Sequence, residues 1–182
     1  MQAKRVSDTH TTTAHVMTPN EANFLGKVFG GALMALIDLA AFACASKFAE
    51  KICVTASFDR VDFHDSIDVG EIVTLDAYVS YVGRTSVEVT IDVYAQNVTK
   101  HDQRKTNTAR VTMVAIENGK PSEVPKLICE TREDKLRYLE GSLRRSHRGE
   151  QKEHLDRLMA DYKAASEENL DAAVKVQMEA AR

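Results

Sequence analysis

At 182 residues the chain can bury a sizeable core in one domain with an appendage, and a 43% apolar share excludes general disorder. A formal net charge of -3 offers no broad basic field for nucleic acid or an anionic membrane surface. No apolar run is read as reaching the roughly 18–20 residues of a membrane span, so insertion is not expected.

The leader MQAKRVSDTHTTT has basic residues but no apolar stretch behind them, which argues against a secretory signal. Residues 9–17, THTTTAHVM, have the composition of a short strand, broken at Pro19-Asn20. A polar loop containing Asn20, Asn23 and Gly26 tightens at Phe29-Gly30-Gly31. A helix rich in Ala, Leu and Met then runs from about Gly30 to Glu50. It is apolar on nearly every side and holds a single carboxylate between Ala32 and Ala45, that of Asp38. Such a helix is expected inside a domain, where a carboxylate is costly unless paired or used.

The period then changes from helical to alternating. Ile52, Val54, Ala56 and Phe58 share one face of a strand, and a register slip is expected near Asp59-Arg60, with Val61 and Phe63 carrying the apolar parity onward. His64-Asp65-Ser66 and Val69-Gly70 are turn chemistry. A third strand spans Glu71 to Val82, Gly83-Arg84 makes a tight connection, and a fourth strand sets Val87, Val89, Ile91, Val93 and Ala95 inward. A polar loop from Thr99 to Arg104 precedes a fifth strand through Val111, Met113 and Ala115, closed by Asn118-Gly119. One strand, one long helix and four further antiparallel strands predict an α+β fold. A curved sheet wraps a central helix too apolar to face water.

Pro121 and Pro125 mark a boundary, giving residues 1–125 as the main domain and 126–182 as a charged helical C-terminal extension. Thr131 and Asp134 stand at capping-box spacing. Residues 131–182 carry 11 basic and 11 acidic side chains, with apolar stripes at Leu136, Leu139, Leu143 and at Leu155, Leu158, Met159, Tyr162. A solvated helix docked by one edge fits that pattern, with the last fifteen residues fraying. Cys44, Cys53 and Cys129 form no CxxC pair, so neither a zinc site nor a disulfide framework is expected, and a reducing, cytoplasmic setting is. The histidines, His101 among them, show no metal-ligand spacing, and no metal is assigned.

The loop before the helix gives Asp38 a chemical context. Asn23 supplies a neutral amide, and Gly30-Gly31 expose backbone N–H groups at a helix start, where developing negative charge is favoured. Each has a plainer reading: Asn23 as a loop residue, the glycines as close packing, Asp38 as a satisfied acid. Eight residues of helix separate Gly30 from Asp38 by about 12 Å, too far to meet one carbonyl in the same copy. A two-fold dimer would set the helix start of one copy against Asp38 of the other.

The run Pro19-x-x-x-Asn23-x-x-Gly26-x-x-Phe29-Gly30-Gly31 followed by Leu36-Ile37-Asp38 resembles the hotdog-fold acyl-CoA thioesterases, in the branch of the brain-type cytosolic acyl-CoA hydrolases and their bacterial relatives. Tyr81-Val82-Gly83-Arg84-Thr85-Ser86 is similar to the segment that branch uses at its coenzyme A site. The resemblance implies hydrolysis of fatty acyl-CoA to free acid and CoA. Asn23 and Asp38 would be the catalytic pair from facing protomers, Asp38 acting as general base or as nucleophile. It further implies carbonyl polarisation by the Gly31 N–H, with Gly30 beside it at the substrate, and substrate contacts at Gly83 and, with CoA, at Arg84, Thr85 and Ser86. It implies no cofactor beyond the CoA of the substrate, a hexamer built as a trimer of dimers, and, for some members, a regulatory nucleotide. Asn20 stands where the branch often has Asp, and Ser66 where Pro is common. Two rival readings are a hotdog hydratase or dehydratase using an Asp and a His, of which Asp59 and His64 are reminiscent, and a non-catalytic acyl-CoA-binding protein.

Overall fold

The computed structural model describes residues 2–59, 61–100 and 102–180. Its strands are β1 (Lys4–Arg5), β2 (Thr11–Val16), β3 (Ile52–Phe58), β4 (Ile72–Val82), β5 (Ser86–Asn97), β6 (Asp102–Glu117), β7 (Lys120–Pro121) and β8 (Leu127–Ile128). Its α-helices are α1 (Gly30–Ala49), α2 (Arg132–Ala164) and α3 (Glu167–Ala180). The main sheet runs β2-β4-β5-β6-β3, antiparallel throughout, with β7 paired to β6. The strand that follows α1 therefore does not pair with the next one in sequence. It crosses to the far edge, beside β6.

The sheet curls around α1. Leu33, Ile37, Ala40, Ala41, Cys44, Ala45, Phe48 and Ala49 are buried along the helix, and the alanines let it lie close to the sheet. Facing them are Val73 to Val79 of β4, Val87 to Ala95 of β5 and Ala109 to Ala115 of β6, at alternate positions. The helix ends at Glu50, whose φ of 55° and ψ of 30° make a left-handed cap. By length and composition α1 is, contrary to the sequence expectation, apolar enough to cross a bilayer, because one aspartate does little to its average. Here the sheet, not lipid, covers its inner face.

Three local expectations change. The slip in β3 lies between Thr55 and Ser57, not at Asp59-Arg60; Arg60 itself falls outside the described residues. Residues 61–67 leave the sheet, so Val61 and Phe63 do not prolong β3. The strand β6 starts at Asp102, inside the expected loop, with His101 outside the described residues.

An ion pair between a buried carboxylate and a partly exposed guanidinium ties the segment after β3 to the sheet. Arg104 of β6 donates from Nη1 to Oε1 of Glu71 at 2.8 Å and from Nη2 to Oε2 at 2.9 Å. The same Nη2 donates to the Ser66 carbonyl at 2.7 Å. Glu71 is 3% exposed and also accepts from the Asp68 N–H. The Arg104 guanidinium holds the Glu71 carboxyl below its ordinary range, against the upward push of burial. A lowered folded-state pKa adds stability above the unfolded carboxylate value, and that contribution is lost as pH falls through the folded value. Arg104→Leu is expected to cost about 3 kcal/mol at neutral pH by stranding a buried carboxylate. The gap to wild type, read by urea unfolding, should narrow below the ordinary carboxylate range; a gap independent of pH would refute the account.

The molecule divides into two compact units, one ending at Gly141 and one starting at Ser142. In the first, Thr131 and Asp134 cap α2 reciprocally, each backbone N–H meeting the other's side chain at 3.0 Å. The opening turns of α2 lie on the outer face of the sheet. Tyr138 meets Tyr81 with ring centroids 5.0 Å apart, and Arg137 sits 4.6 Å over the Tyr78 ring. A side chain on Gly141 would come within 2.5 Å of Tyr81 Cβ and 2.9 Å of a Glu88 carboxylate oxygen, so this crossing requires glycine. The second unit is helical to Ala180, beyond the point where fraying was expected.

Candidate functional site

Asp38 projects from the middle of α1 toward β3. The Thr55 hydroxyl donates to its Oδ1 at 2.5 Å, and the same hydroxyl lies 3.4 Å from the Met113 sulfur. The Asp38 side chain is half-buried rather than sealed in the core, and its Oδ2 has no protein partner among the described residues. One oxygen is thus oriented, and the other is open to a water or substrate. On α1, Leu39 and Phe42 stand exposed, and Ile52 and Val54 stand exposed on the face of β3 opposite Thr55. Ile52, at 67%, belongs to the apolar parity of β3, whereas Cys53 of the opposite parity is buried.

Asn23 anchors the loop ahead of α1. Its Oδ1 accepts from the backbone N–H of Leu25 at 2.8 Å and of Lys27 at 3.2 Å. With its oxygen committed, the side chain presents an NH2 donor with no partner among the described residues. The loop is closed by Asn23 N–H to the Lys27 carbonyl at 2.7 Å and joined to the next segment by Val28 N–H to the Ile67 carbonyl at 2.8 Å.

Phe29 precedes α1 without a side-chain cap, and its carbonyl accepts from Ala32 and Leu33. The N–H groups of Gly30 and Gly31 therefore take no partner among the described residues, as expected at an uncapped helix start. The Phe29 ring lies where a Gly31 side chain would be, within 2.3 Å of its ideal Cβ. Close packing thus explains the second glycine as well as access does. At Gly30 a Cβ would meet only the Phe63 ring, at 3.7 Å.

Gly83, Arg84, Thr85 and Ser86 form the turn between β4 and β5, closed by Gly83 N–H to the Ser86 carbonyl at 2.8 Å. The Thr85 carbonyl accepts from Ala115, two residues along β6 from the methionine that touches Thr55. Arg84 lines a cleft of about 410 Å³ with Val82, Glu123, Val124, Lys126 and Tyr138. Its guanidinium is 80% exposed and only 3.7 Å from Glu123, an ion pair of little strength in water.

The structure thus brings Asp38 and the Gly83–Ser86 turn to the same end of the sheet, bridged by β6. It leaves the Gly30-Gly31 amides about two helical turns away, with Asn23 in the loop that precedes them. Asp59 and His64 fall outside any strand, so alternation says nothing about their relative orientation. Sequence reasoning missed Thr55. The signal for it was the polar member of the minor parity in Ile52-Cys53-Val54-Thr55.

Residues 25–100 match the model of the Thioesterase superfamily. Among similar proteins are VdlD of Helicobacter pylori, 39% identical over 72% of this chain and 75% of its own, and the acyl-CoA thioester hydrolase YkhA of Bacillus subtilis, 34% identical over 75% and 80%. The mouse cytosolic acyl coenzyme A thioester hydrolase is 32% identical over 75% of this chain, which spans 36% of the longer mouse protein. The fold is similar to a hexameric acyl-CoA thioesterase, with TM-score 0.79 and 36% identity over 83% of this chain and 97% of that one. It is also similar to the Staphylococcus aureus acyl-CoA hydrolase solved with butyryl-CoA and CoA, with TM-score 0.76 and 31% identity over 90% and 99%. For that enzyme, structures exist with an Asn, an Asp and a Thr each replaced by alanine, spaced along its chain as Asn23, Asp38 and Thr55 are along this one.

Proposed function

The chain belongs to the acyl-CoA thioester hydrolases of the Thioesterase superfamily, and from that premise we propose that it cleaves fatty acyl-CoA at sites shared between two copies. The observation that carries this reading is the Asp38–Thr55 pair, a carboxylate with one oxygen held and the other open, on a helix face left apolar and uncovered. A second copy seated on Leu39 and Phe42 would cover that face and bring its own Asn23 loop to Asp38.

In this reading the thioester carbonyl rests at the Gly30 and Gly31 N–H groups of one copy, with the Asn23 amide donating to the carbonyl or the water. Asp38 of the other copy takes a proton from water as the water oxygen bonds to the carbonyl carbon. The carbon–sulfur bond then breaks, and the proton leaves with the CoA thiolate, giving free acid and CoA. Thr55 acts through Asp38 as a positioning residue. Neither a metal nor an organic cofactor takes part. Assembly as a trimer of dimers and a cytoplasmic setting belong to the same proposal, supported by the hexameric neighbour and the cytosolic mouse relative. A regulatory nucleotide enters it only as a ligand to screen.

Purified protein given palmitoyl-CoA should release thiol detectable with an aromatic disulfide reagent. Loss of conjugation from an enoyl-CoA without thiol release would favour the hydratase reading instead. Arg84, free of a firm partner, is the expected phosphate contact for CoA. Arg84→Ala should raise the apparent KM severalfold with kcat little changed, whereas an equal loss in kcat would move Arg84 into the chemistry.

A further inference from the structure

A second cleft lies beside the start of α1 and differs in character from the one at Arg84. It holds about 370 Å³ and is lined by Gly30, by the apolar Val28, Leu33, Phe63 and Ile67, and by the polar run 64–66, its exposed wall being mostly apolar. Leu33 and Ile67 are buried, at 3% and 4% exposed, while Phe63 stands 51% exposed at the rim. Clefts of this size with hydrocarbon walls suit a hydrocarbon ligand.

We propose that this cleft receives the acyl chain and that the Phe63 ring, at its mouth, sets how long a chain is accepted. The inference rests on the reading that the thioester carbonyl sits at the Gly30 and Gly31 amides. A carbonyl held there has sulfur on one side and the alkyl carbon on the other. Gly30 is at once a helix-start donor and part of the cleft lining, so the alkyl side has somewhere apolar to go. The Phe63 ring lies 3.7 Å from the ideal Cβ position of Gly30, across that path.

The two walls are held differently. On the Ser66–Asp68 side, Ile67 accepts from Val28, Ser66 accepts from Arg104, and Asp68 pairs with Lys27. That wall is fixed to both the Asn23 loop and β6. The Phe63 ring has no polar atom and is held by packing alone, so it is the wall that can yield. A short acyl group stops before the ring, and a long one must pass it.

The test is a chain-length series, from butyryl-CoA to dodecanoyl-CoA, on wild type, Phe63→Ala and Phe63→Trp. Phe63 is half-exposed, so both variants should fold, which thermal melting verifies. In wild type, kcat/KM should rise about fourfold per added CH2 until the cleft is full. Phe63→Trp should lower the dodecanoyl-to-butyryl ratio by tenfold or more, and Phe63→Ala should raise it. Ratios within twofold of wild type in both variants, or moving the same way in both, overturn the proposal. Affinities of the non-hydrolysable S-butyl and S-dodecyl thioethers of CoA, by calorimetry, give the same ratio without turnover. Absence of thiol release from every substrate by wild type, with the thioether ratio still shifting as stated, would sink the hydrolytic reading and leave the chain-binding cleft standing.

Discussion

Alanine at Asp38 is expected to reduce turnover of palmitoyl-CoA by about a hundredfold or more while leaving assembly and CoA affinity largely intact. The carboxylate is half-buried and, among the described residues, accepts one hydrogen bond, from Thr55, so little of the core depends on it. Alanine is also the best helix former, and α1 already carries it at many positions. On the proposed mechanism, what disappears is the proton acceptor for the attacking water. Asp38→Asn sharpens the result, because an amide can still accept from Thr55 but cannot take a proton. Equal, severe losses in both variants, read as kcat from thiol release, would assign the effect to charge rather than shape. A near-wild-type rate in either would remove Asp38 from the mechanism. Size-exclusion chromatography and CoA titration supply the controls.

Mixing two inactive variants should restore activity if the site is shared. Asn23→Ala and Asp38→Ala each spoil every site in a homogeneous assembly. When subunits exchange, a mixed dimer concentrates both lesions in one site and leaves the other site intact. Random pairing makes about half the dimers mixed, each with one good site of two, so about a quarter of wild-type activity should return. A site built within one copy gives no recovery at any ratio. The separation of about 12 Å along α1 between Gly30 and Asp38 is why recovery is expected. Activity should rise with the time course of subunit exchange, which fluorescence energy transfer between labelled copies would follow.

Much of this arrangement is legible in the residues. The change from helical to alternating period, with a twenty-residue apolar helix between strands, is enough to require a sheet wrapped around that helix. Asn23, Gly30, Gly31 and Asp38 stand out because amide, glycines and a lone acid are unusual company for such a helix. The pairing of β3 with β6 is not legible, since alternation marks faces and not neighbours. Nor does the alternation of Ile52-Cys53-Val54-Thr55 say which parity is inward. Its larger members face away from α1, and its smaller members face the core and Asp38. Size and inward direction run opposite ways in this strand, and Thr55 was hidden by that inversion. The chamber beside Gly30 was equally invisible, because its Phe63 wall looks like one more strand residue until the chain leaves the sheet.

The outer face of β4 and β5 carries a consequence for shortened forms of the chain. Tyr78, Ser80, Glu88 and Thr90 are all buried there, Ser80 donating to Glu88 and accepting from Thr90. These strands are lined on both sides, by α1 within and by the first turns of α2 without. A deletion ending before Thr131 would strip the outer lining and present two tyrosines and a charged network to water. The flat, sticky panel left behind invites stacking between molecules, and recovery in the soluble fraction would fall even with every catalytic group still encoded.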